Sequence, residues 1–404
     1  MRIGRTHYDI EEFYYQALKN YVKELKQGKN TKDLVNGLLV AYSVDQMGYS
    51  LLEISESILS NNFGQPINTE RYFTLQQSLG KKLQVKEYSE LEISKVADTR
   101  SGSGINAISK GEDDVLAILK DGLKKKLKKE KDGVESWHRV FPGLAPQIIN
   151  YHKNGEWASL LIEHLNGLTF EQIILHNSEK LRKQSLNQLF QTLLRIWGET
   201  RSNKAVSANH MLQLEKRLSD VAAVHPDLIT PESHICGLQL DSLPVLCERA
   251  ITFEEELKVP FSVYIHGDFN IDNVIYDTAE GQIKYIDLHR STYTDYTQDI
   301  AVFMVSNYRL QIFDSPVRKR IFRQINDVCH FARRFAAKEK DKHFELRLGL
   351  GLARSLITST RFIRDKGVAQ GMVLRAQYLL EKILKEGSQK KNRFQVPVEE
   401  IFYA

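Results

Sequence analysis

Val263-Tyr264-Ile265-His266-Gly267-Asp268-Phe269-Asn270-Ile271-Asp272-Asn273-Val274-Ile275-Tyr276-Asp277, a short gap, and Ile283-Lys284-Tyr285-Ile286-Asp287-Leu288-His289-Arg290 form the stretch on which the fold turns. Val263 to Ile265 is a β-prone run, so Asp268 falls on the loop that leaves a strand. Val274, Ile275 and Tyr276 predict a second short strand, beginning beside Asn273. The Glu280-Gly281 turn leads into a third, Ile283, Tyr285 and Ile286, which ends at Asp287. Antiparallel strands joined by a short turn return the chain beside itself, so Asn273 and Asp287 share one end of the hairpin. An amide and a carboxylate oxygen placed together suit Mg²⁺, which keeps several waters. Phosphoryl transfer from a nucleotide needs such an ion on the phosphates and a carboxylate beside the attacking hydroxyl. Asp268, Asn273 and Asp287 supply those groups. A hairpin with incidental acids in its loops is the plain alternative. The joint pattern is far more specific than its single residues.

These residues resemble the signature of the aminoglycoside phosphotransferase/choline kinase superfamily: His-Gly-Asp, four residues, Asn, then Ile-Asp followed by an aromatic and an acid. The resemblance runs from about Leu160 to Asn307. It implies an α+β, protein-kinase-like two-lobed fold. It also implies Asp268 as catalytic base and Asn273 and Asp287 as metal ligands. His266 would brace the catalytic loop, and Asp299 would hold that loop's backbone from the following helix. This chain departs from the pattern at Leu288 and His289, where the family has the aromatic and the acid. His289 is therefore kept as a substrate-side candidate.

Upstream, Leu160 to Gly167 looks like the family's hinge strand, with backbone groups of Glu163, His164 and Leu165 meeting the adenine edge. Any buried strand before an Asn-Gly turn reads the same way. Ser101, Gly102, Ser103 and Gly104 could cover phosphates, since glycines let backbone N–H groups approach them. A surface loop has the same composition. The strand Asp114–Lys120 ends in a lysine placed like the family's phosphate-contacting lysine. Glu135 is the expected helix partner of Lys120, with Glu130 as its rival.

Composition frames this reading. A chain of 404 residues, 42% apolar and 26% charged, has the make-up of a globular protein with a large core. No apolar run is long enough to cross a bilayer, and Met1 to Asp9 lacks the apolar core of a signal peptide. Cys236, Cys247 and Cys329 match no metal or disulfide spacing. A cytoplasmic enzyme without a membrane partner is the expectation.

Residues 1–66 predict a helical extension. Asp9 with Glu12 reads as a capping box, and Ile10, Phe13, Tyr14, Leu18, Tyr21, Val22 and Leu25 form one apolar stripe. A second helix runs through Leu34, Leu38 and Tyr42, and a third holds Leu51, Leu52, Ile54, Ile58 and Leu59. Met47 to Ile54 faintly resembles a helix-turn-helix turn, but no basic recognition helix follows. These helices pack on the kinase lobes or on a partner, either a second copy or another protein. The lysine run Lys124–Lys131 lacks interleaved aromatics, so it reads as a solvated helix edge and not as a nucleic-acid site.

Charge bears on the acceptor. The whole chain is +5, yet residues 307–404 carry 21 Lys and Arg against 10 Asp and Glu. A basic cleft concentrates neutral or anionic compounds and disfavours polycations. The candidates include Arg309, Arg318, Lys319, Arg320, Arg323, Arg333 and Arg334, with Arg309 and Arg361 foremost. The alternative is that these residues coat outward helix faces.

The expected organisation is a β-rich lobe over 85–165, a mostly helical lobe over 166–388 and a tail, 389–404, that docks back. The expected reaction is Mg²⁺-dependent transfer from ATP, or GTP, to a hydroxyl of a small neutral or anionic acceptor. Alternatives are a catalytically weak nucleotide-binding regulator, or a protein-modifying enzyme of the same fold that uses the helical extension to bind its partner.

Overall fold

The computed structural model describes residues 2–28, 30–63, 92–98, 104–109, 115–229, 233–235, 238–390 and 393–403. The chain divides into two compact units. The first comprises Met1–Asp132 and Gln147–His164, and the second Gly133–Pro146 and Leu165–Ala404.

In the first unit, α1 (Arg2–Leu25) and α2 (Thr31–Phe63) lie side by side. A Cβ at Gly48 would come within 3.3 Å of Ile10, and one at Gly37 within 3.0 Å of Tyr21, so the helices run antiparallel. Two expectations change here. Asp9 and Glu12 lie inside α1, which begins at Arg2, so the helix does not start at Asp9. The expected second and third helices are one helix, so Met47 to Ile54 contains no turn. A lone glycine such as Gly48 costs a helix only about 1 kcal/mol, and here it admits Ile10. The apolar stripe is also divided: Phe13 and Val22 are exposed.

A five-stranded antiparallel sheet follows in the order β1-β2-β3-β5-β4. Its strands are β1 (Glu92–Asp98), β2 (Gly104–Ser109), β3 (Val115–Leu123), β4 (Ile148–Asn154) and β5 (Trp157–Glu163). Between β3 and β4 the chain forms α3 (Lys124–Val140). Leu127, Glu130, Val134 and Trp137 are its buried positions, at the three-and-four spacing of one helix face. Leu127 packs with Ala158, Leu160 and Ile162 of β5, and most lysines of the basic run are exposed. From Gly133 onward α3 belongs to the second unit, because Trp137 stacks edge-on to Tyr264 and Tyr285.

The second unit is mostly helical: β6 (Leu168–Thr169), α4 (Phe170–His176), α5 (Glu179–Glu199), α6 (His210–Val224), the hairpin β7 (Ser233–Ile235) and β8 (Leu238–Leu240), α7 (Leu243–Glu254), β9 (Val263–Ile265), β10 (Val274–Asp277), β11 (Gln282–Tyr285), β12 (Thr292–Thr294), α8 (Thr297–Tyr308), α9 (Ser315–Lys338), α10 (Phe344–Ser359), α11 (Lys366–Lys390) and α12 (Val398–Phe402). Strands β11, β10 and β6 form one small sheet, and β12 pairs with β9 in another. Helix α10 is buried on nearly every side and packs against α6, α8 and α11. In the tail, Phe394, Val396, Ile401 and Phe402 are buried, and Phe402 meets Tyr308 at 5.4 Å between ring centres. This is an α+β fold with an N-terminal helical extension. Among the described residues, no helix is long and apolar enough to cross a membrane.

Candidate active site

The hairpin of β10 and β11 sets the geometry. Val274 pairs with Tyr285, and the Ile286 N–H donates to the Asn273 carbonyl at 3.1 Å. Asn273 and Asp287 therefore emerge from the same end. At the other end, the Asp277 carboxylate accepts the N–H groups of Ala279 and Glu280, closing the turn. Asn273 donates its Nδ2 to the Asp268 carbonyl at 2.9 Å, which leaves its Oδ1 as the group to face a cation. Asp287 sits at φ 61°, a left-handed conformation that Asp tolerates better than most residues. Its Oδ1 accepts the Nδ1–H of His289 at 2.9 Å. One amide and one carboxylate fit Mg²⁺, which takes its remaining ligands from phosphates and water. They are too few for a closed protein cage, and no cluster of three His, Cys, Asp or Glu that could hold a metal occurs among the described residues.

The loop bearing Asp268 is fixed from beneath. Gly267 has φ 84°, and a Cβ there would lie 2.2 Å from the Arg290 carbonyl, so only glycine fits. Asp299, buried at the start of α8, accepts the N–H of His266 at 2.8 Å and of Gly267 at 2.9 Å. Burial pushes its pKa up to about 7, although those two bonds favour the charged form. His266 accepts the Asp268 N–H on Nδ1, so its Nε2–H donates to the Ile286 carbonyl at 2.9 Å. That fixes a neutral tautomer, and burial lowers the ring's pKa. The rings of His266, Phe269, Tyr285 and Phe303 support the loop at centre distances of 5.3 to 5.7 Å. Such pairs contribute about 0.5–1.5 kcal/mol each beyond their burial. Above this base the half-buried Asp268 carboxylate accepts Asn270 Nδ2 at 2.9 Å and meets Arg290 Nη1 at 3.5 Å. A held carboxylate beside two cation ligands can orient a hydroxyl and take its proton while a metal carries phosphate charge.

The sequence model of the phosphotransferase enzyme family matches residues 136–336, which contain this whole arrangement. Over that stretch the chain belongs to the family. Solved structures of similar shape include an aminoglycoside phosphotransferase from Streptomyces rimosus, at 18% identity and TM-score 0.45, covering 70% of this chain and 97% of that one. A choline kinase from Cryptosporidium parvum matches at 13% identity and TM-score 0.45, covering 76% and 94%. A putative fructosamine-3-kinase from Haemophilus somnus matches at 13% and 0.46, covering 78% and 97%. At such values these neighbours carry no argument about substrate. No curated protein matches significantly.

The phosphotransferase's other expected residues divide. Lys120 lies within β3, which continues to Leu123, and pairs across the sheet with Ile105 and Leu160. Its Nζ contacts Glu130, where Glu135 was expected. Helix register explains the change: Glu130 shares the buried face with Leu127 and Val134, while five residues at 100° each turn Glu135 about 140° away. Gly104 opens β2 opposite Asp98 and Asp121. Ser101, Gly102 and Ser103 lie outside the described residues. Glu163 ends β5, donating its N–H to the Gln147 carbonyl and accepting the Gln147 N–H on its carboxylate. His164 and Leu165 follow, partly buried.

Most arginines singled out by regional charge are committed to structure. Arg309 donates to Asn270 at 3.2 Å, bracing the loop that bears Asp268. Arg361 bonds the Thr358 carbonyl and Asp220. Arg318 reaches the carbonyls of Tyr308 and Leu310, and Arg320 those of Ile174 and Asn177. Arg333 pairs with Glu345, and Arg323 lies near Glu179. Arg290 meets Asp268, and Arg354 feels the charge of that carboxylate; the regional count singled out neither. Their signals were faint. Arg290 precedes β12, a strand too short to read. Arg354 lies seven residues after Arg347, the spacing of one helix face.

Proposed function

We propose that this chain is a Mg²⁺-dependent kinase that moves the γ-phosphoryl of ATP, or GTP, to a hydroxyl of a small neutral or anionic acceptor. The observation that carries the reading is the common placement of Asp268, Asn273 and Asp287 around one hairpin end. Asn273 Oδ1 and Asp287 would hold the cation, which when bound draws charge off the phosphates. Asp268 orients the acceptor hydroxyl and accepts its proton. Asp299, His266 and Asn270 keep that carboxylate in place, so catalysis rests on positioning and charge. Lys120, backed by Glu130, is the proposed contact to the nucleotide phosphates, and Gly104 and Glu163 to Leu165 stay as candidate nucleotide contacts. His289 stands where the family has a second acid, and its N–H on Asp287 keeps that carboxylate oriented without a second negative charge.

The test is transfer of labelled γ-phosphate from ATP and GTP to a panel of sugars, nucleosides, phosphorylated metabolites and aminoglycosides, with Asp268→Asn alongside. Transfer to neutral or anionic members, lost in the variant while Mg²⁺-nucleotide binding persists, supports the reading. Turnover confined to the polycations would overturn the acceptor class. Transfer undiminished in Asp268→Asn would overturn the base.

A further inference from the structure

Helix α10 carries two arginines on one face with opposite surroundings. Arg347 is closed: its Nε donates to Asp295 at 2.6 Å, and Nη1 and Nη2 donate to Asp341 at 2.9 and 2.5 Å. Two turns on, Arg354 is partly exposed as a residue, yet its Nε and Nη2 are enclosed with no hydrogen-bond partner. Those two atoms form the side-on edge of a guanidinium, which grips two oxygens of a carboxylate or phosphate in parallel. Buried donors are rarely left unmet unless a ligand or water satisfies them.

The neighbouring acids do not fill that edge. Glu254 is occupied by the N–H groups of His210 and Met211, and Asp299 by those of His266 and Gly267. Asp268 is the acid left, and Arg290 already meets it at 3.5 Å. Burial lowers the Arg354 pKa to about 10, with Asp268 acting in the opposite sense, so the group keeps its charge at neutral pH. Arg290 thus meets, and Arg354 feels the charge of, a carboxylate whose task, on the reading above, is to accept a proton. The Nε–Nη2 edge of Arg354 is thus left without an acceptor.

We propose that Arg354, aided by Arg290, binds an anionic group of the acceptor, a phosphate or a carboxylate carried on the same molecule as the hydroxyl that Asp268 activates. This rests on the phosphotransferase reading and narrows it to hydroxyl compounds that already bear a negative charge. A guanidinium beside the base fixes the acceptor at its far end, so the hydroxyl is presented in one orientation. It also rejects polycations by like charge.

The experiment compares the protein with Arg354→Met and Arg354→Lys on charge-matched sets: glucose 6-phosphate, glucuronate, glucose and glucosamine, and glycerol 3-phosphate, glycerate and glycerol. Melting temperature reports binding without nucleotide, and γ-phosphate transfer reports use as acceptor. An anionic member is expected to stabilise the protein and to exceed its neutral parent at least tenfold in kcat/KM. Arg354→Met should erase that preference through KM, and Arg354→Lys should restore only part of it because it lacks the fork. The Mg²⁺·ATP shift should be unchanged in both. Loss of that shift would assign Arg354 to the nucleotide and overturn the proposal. So would equal response to anionic and neutral members, or no response to any anion. Anion binding that depends on Arg354 without any transfer would keep the subsite and sink the kinase reading. Transfer indifferent to charge and to Arg354 would do the reverse.

Discussion

Two clusters of arginine and carboxylate lie along α10, and they are built on opposite principles. Around Arg347, two carboxylates meet one guanidinium and the Tyr296 hydroxyl donates to Asp341, every contact between 2.5 and 2.9 Å. Burial works against that charge, but Asp295 and Asp341 more than offset it and hold the pKa above the ordinary arginine value. Around Arg354 the pairing is absent: its Nε and Nη2 stay unmet, and the nearby ion pair of Arg290 with Asp268 is loose at 3.5 Å. The first cluster is complete without a ligand and serves the fold. The second is incomplete, which is what a site that must receive charge requires.

The largest effect should come from the open cluster's acid. Asp268→Asn is expected to reduce transfer by roughly 10²–10⁴-fold, the usual range for a general base, while leaving stability nearly unchanged because the 3.5 Å pair with Arg290 is partly solvated. Rates and urea melts on the same preparation check both halves. A variant that melts early would place Asp268 with the structural cluster.

Arg347→Met should come next, with the opposite profile. Removing the cation strands Asp295 and Asp341 in the core, and breaking a buried pair this way costs about 3–5 kcal/mol. Arg354→Met should instead keep or raise the melting temperature, because it removes a buried donor pair that nothing satisfies. If both variants destabilise equally in urea, the contrast between the clusters is lost.

The smallest effect concerns Asp299. Its pKa rises from about 3.9 in an unfolded chain to about 7 in the fold. Folding therefore favours the protonated form. That contribution is fully present below about pH 4 and is lost as pH rises through about 7. Asp299→Asn is uncharged throughout, so the melting temperature of the parent minus that of the variant should fall between pH 4 and pH 8. A difference that rises with pH instead would mean that the two N–H bonds, and not burial, govern this carboxylate.

What the sequence revealed follows the range of the interactions. The hairpin that joins Asn273 to Asp287 is local, written in alternating apolar residues and a glycine turn, and it was legible. The mixed class and the helical extension were legible for the same reason. The continuity of α2 was not, since a glycine reads as a break until Ile10 shows what it makes room for. The partner of Lys120 depended on a helix register that the lysine run obscured. Strand β12 has three residues, two of them exposed, and offers no pattern, yet its pairing with β9 sets Arg290 beside the loop that bears Asp268. Regional charge pointed to an excess of arginine without distinguishing those that cap helix ends from the one whose fork is unmet. That distinction exists only once α10 is packed.

The hairpin end formed by Asn273 and Asp287 is proposed to hold a Mg²⁺-nucleotide. The most direct test is the melting temperature of the protein and of Asp287→Ala, each with ATP and GTP, with Mg²⁺ and with EDTA. A bound ligand stabilises only the state that holds it. A Mg²⁺-dependent rise is expected in the parent, roughly several degrees at saturating nucleotide, and none in the variant. An equal Mg²⁺-dependent rise in both proteins would contradict the proposal.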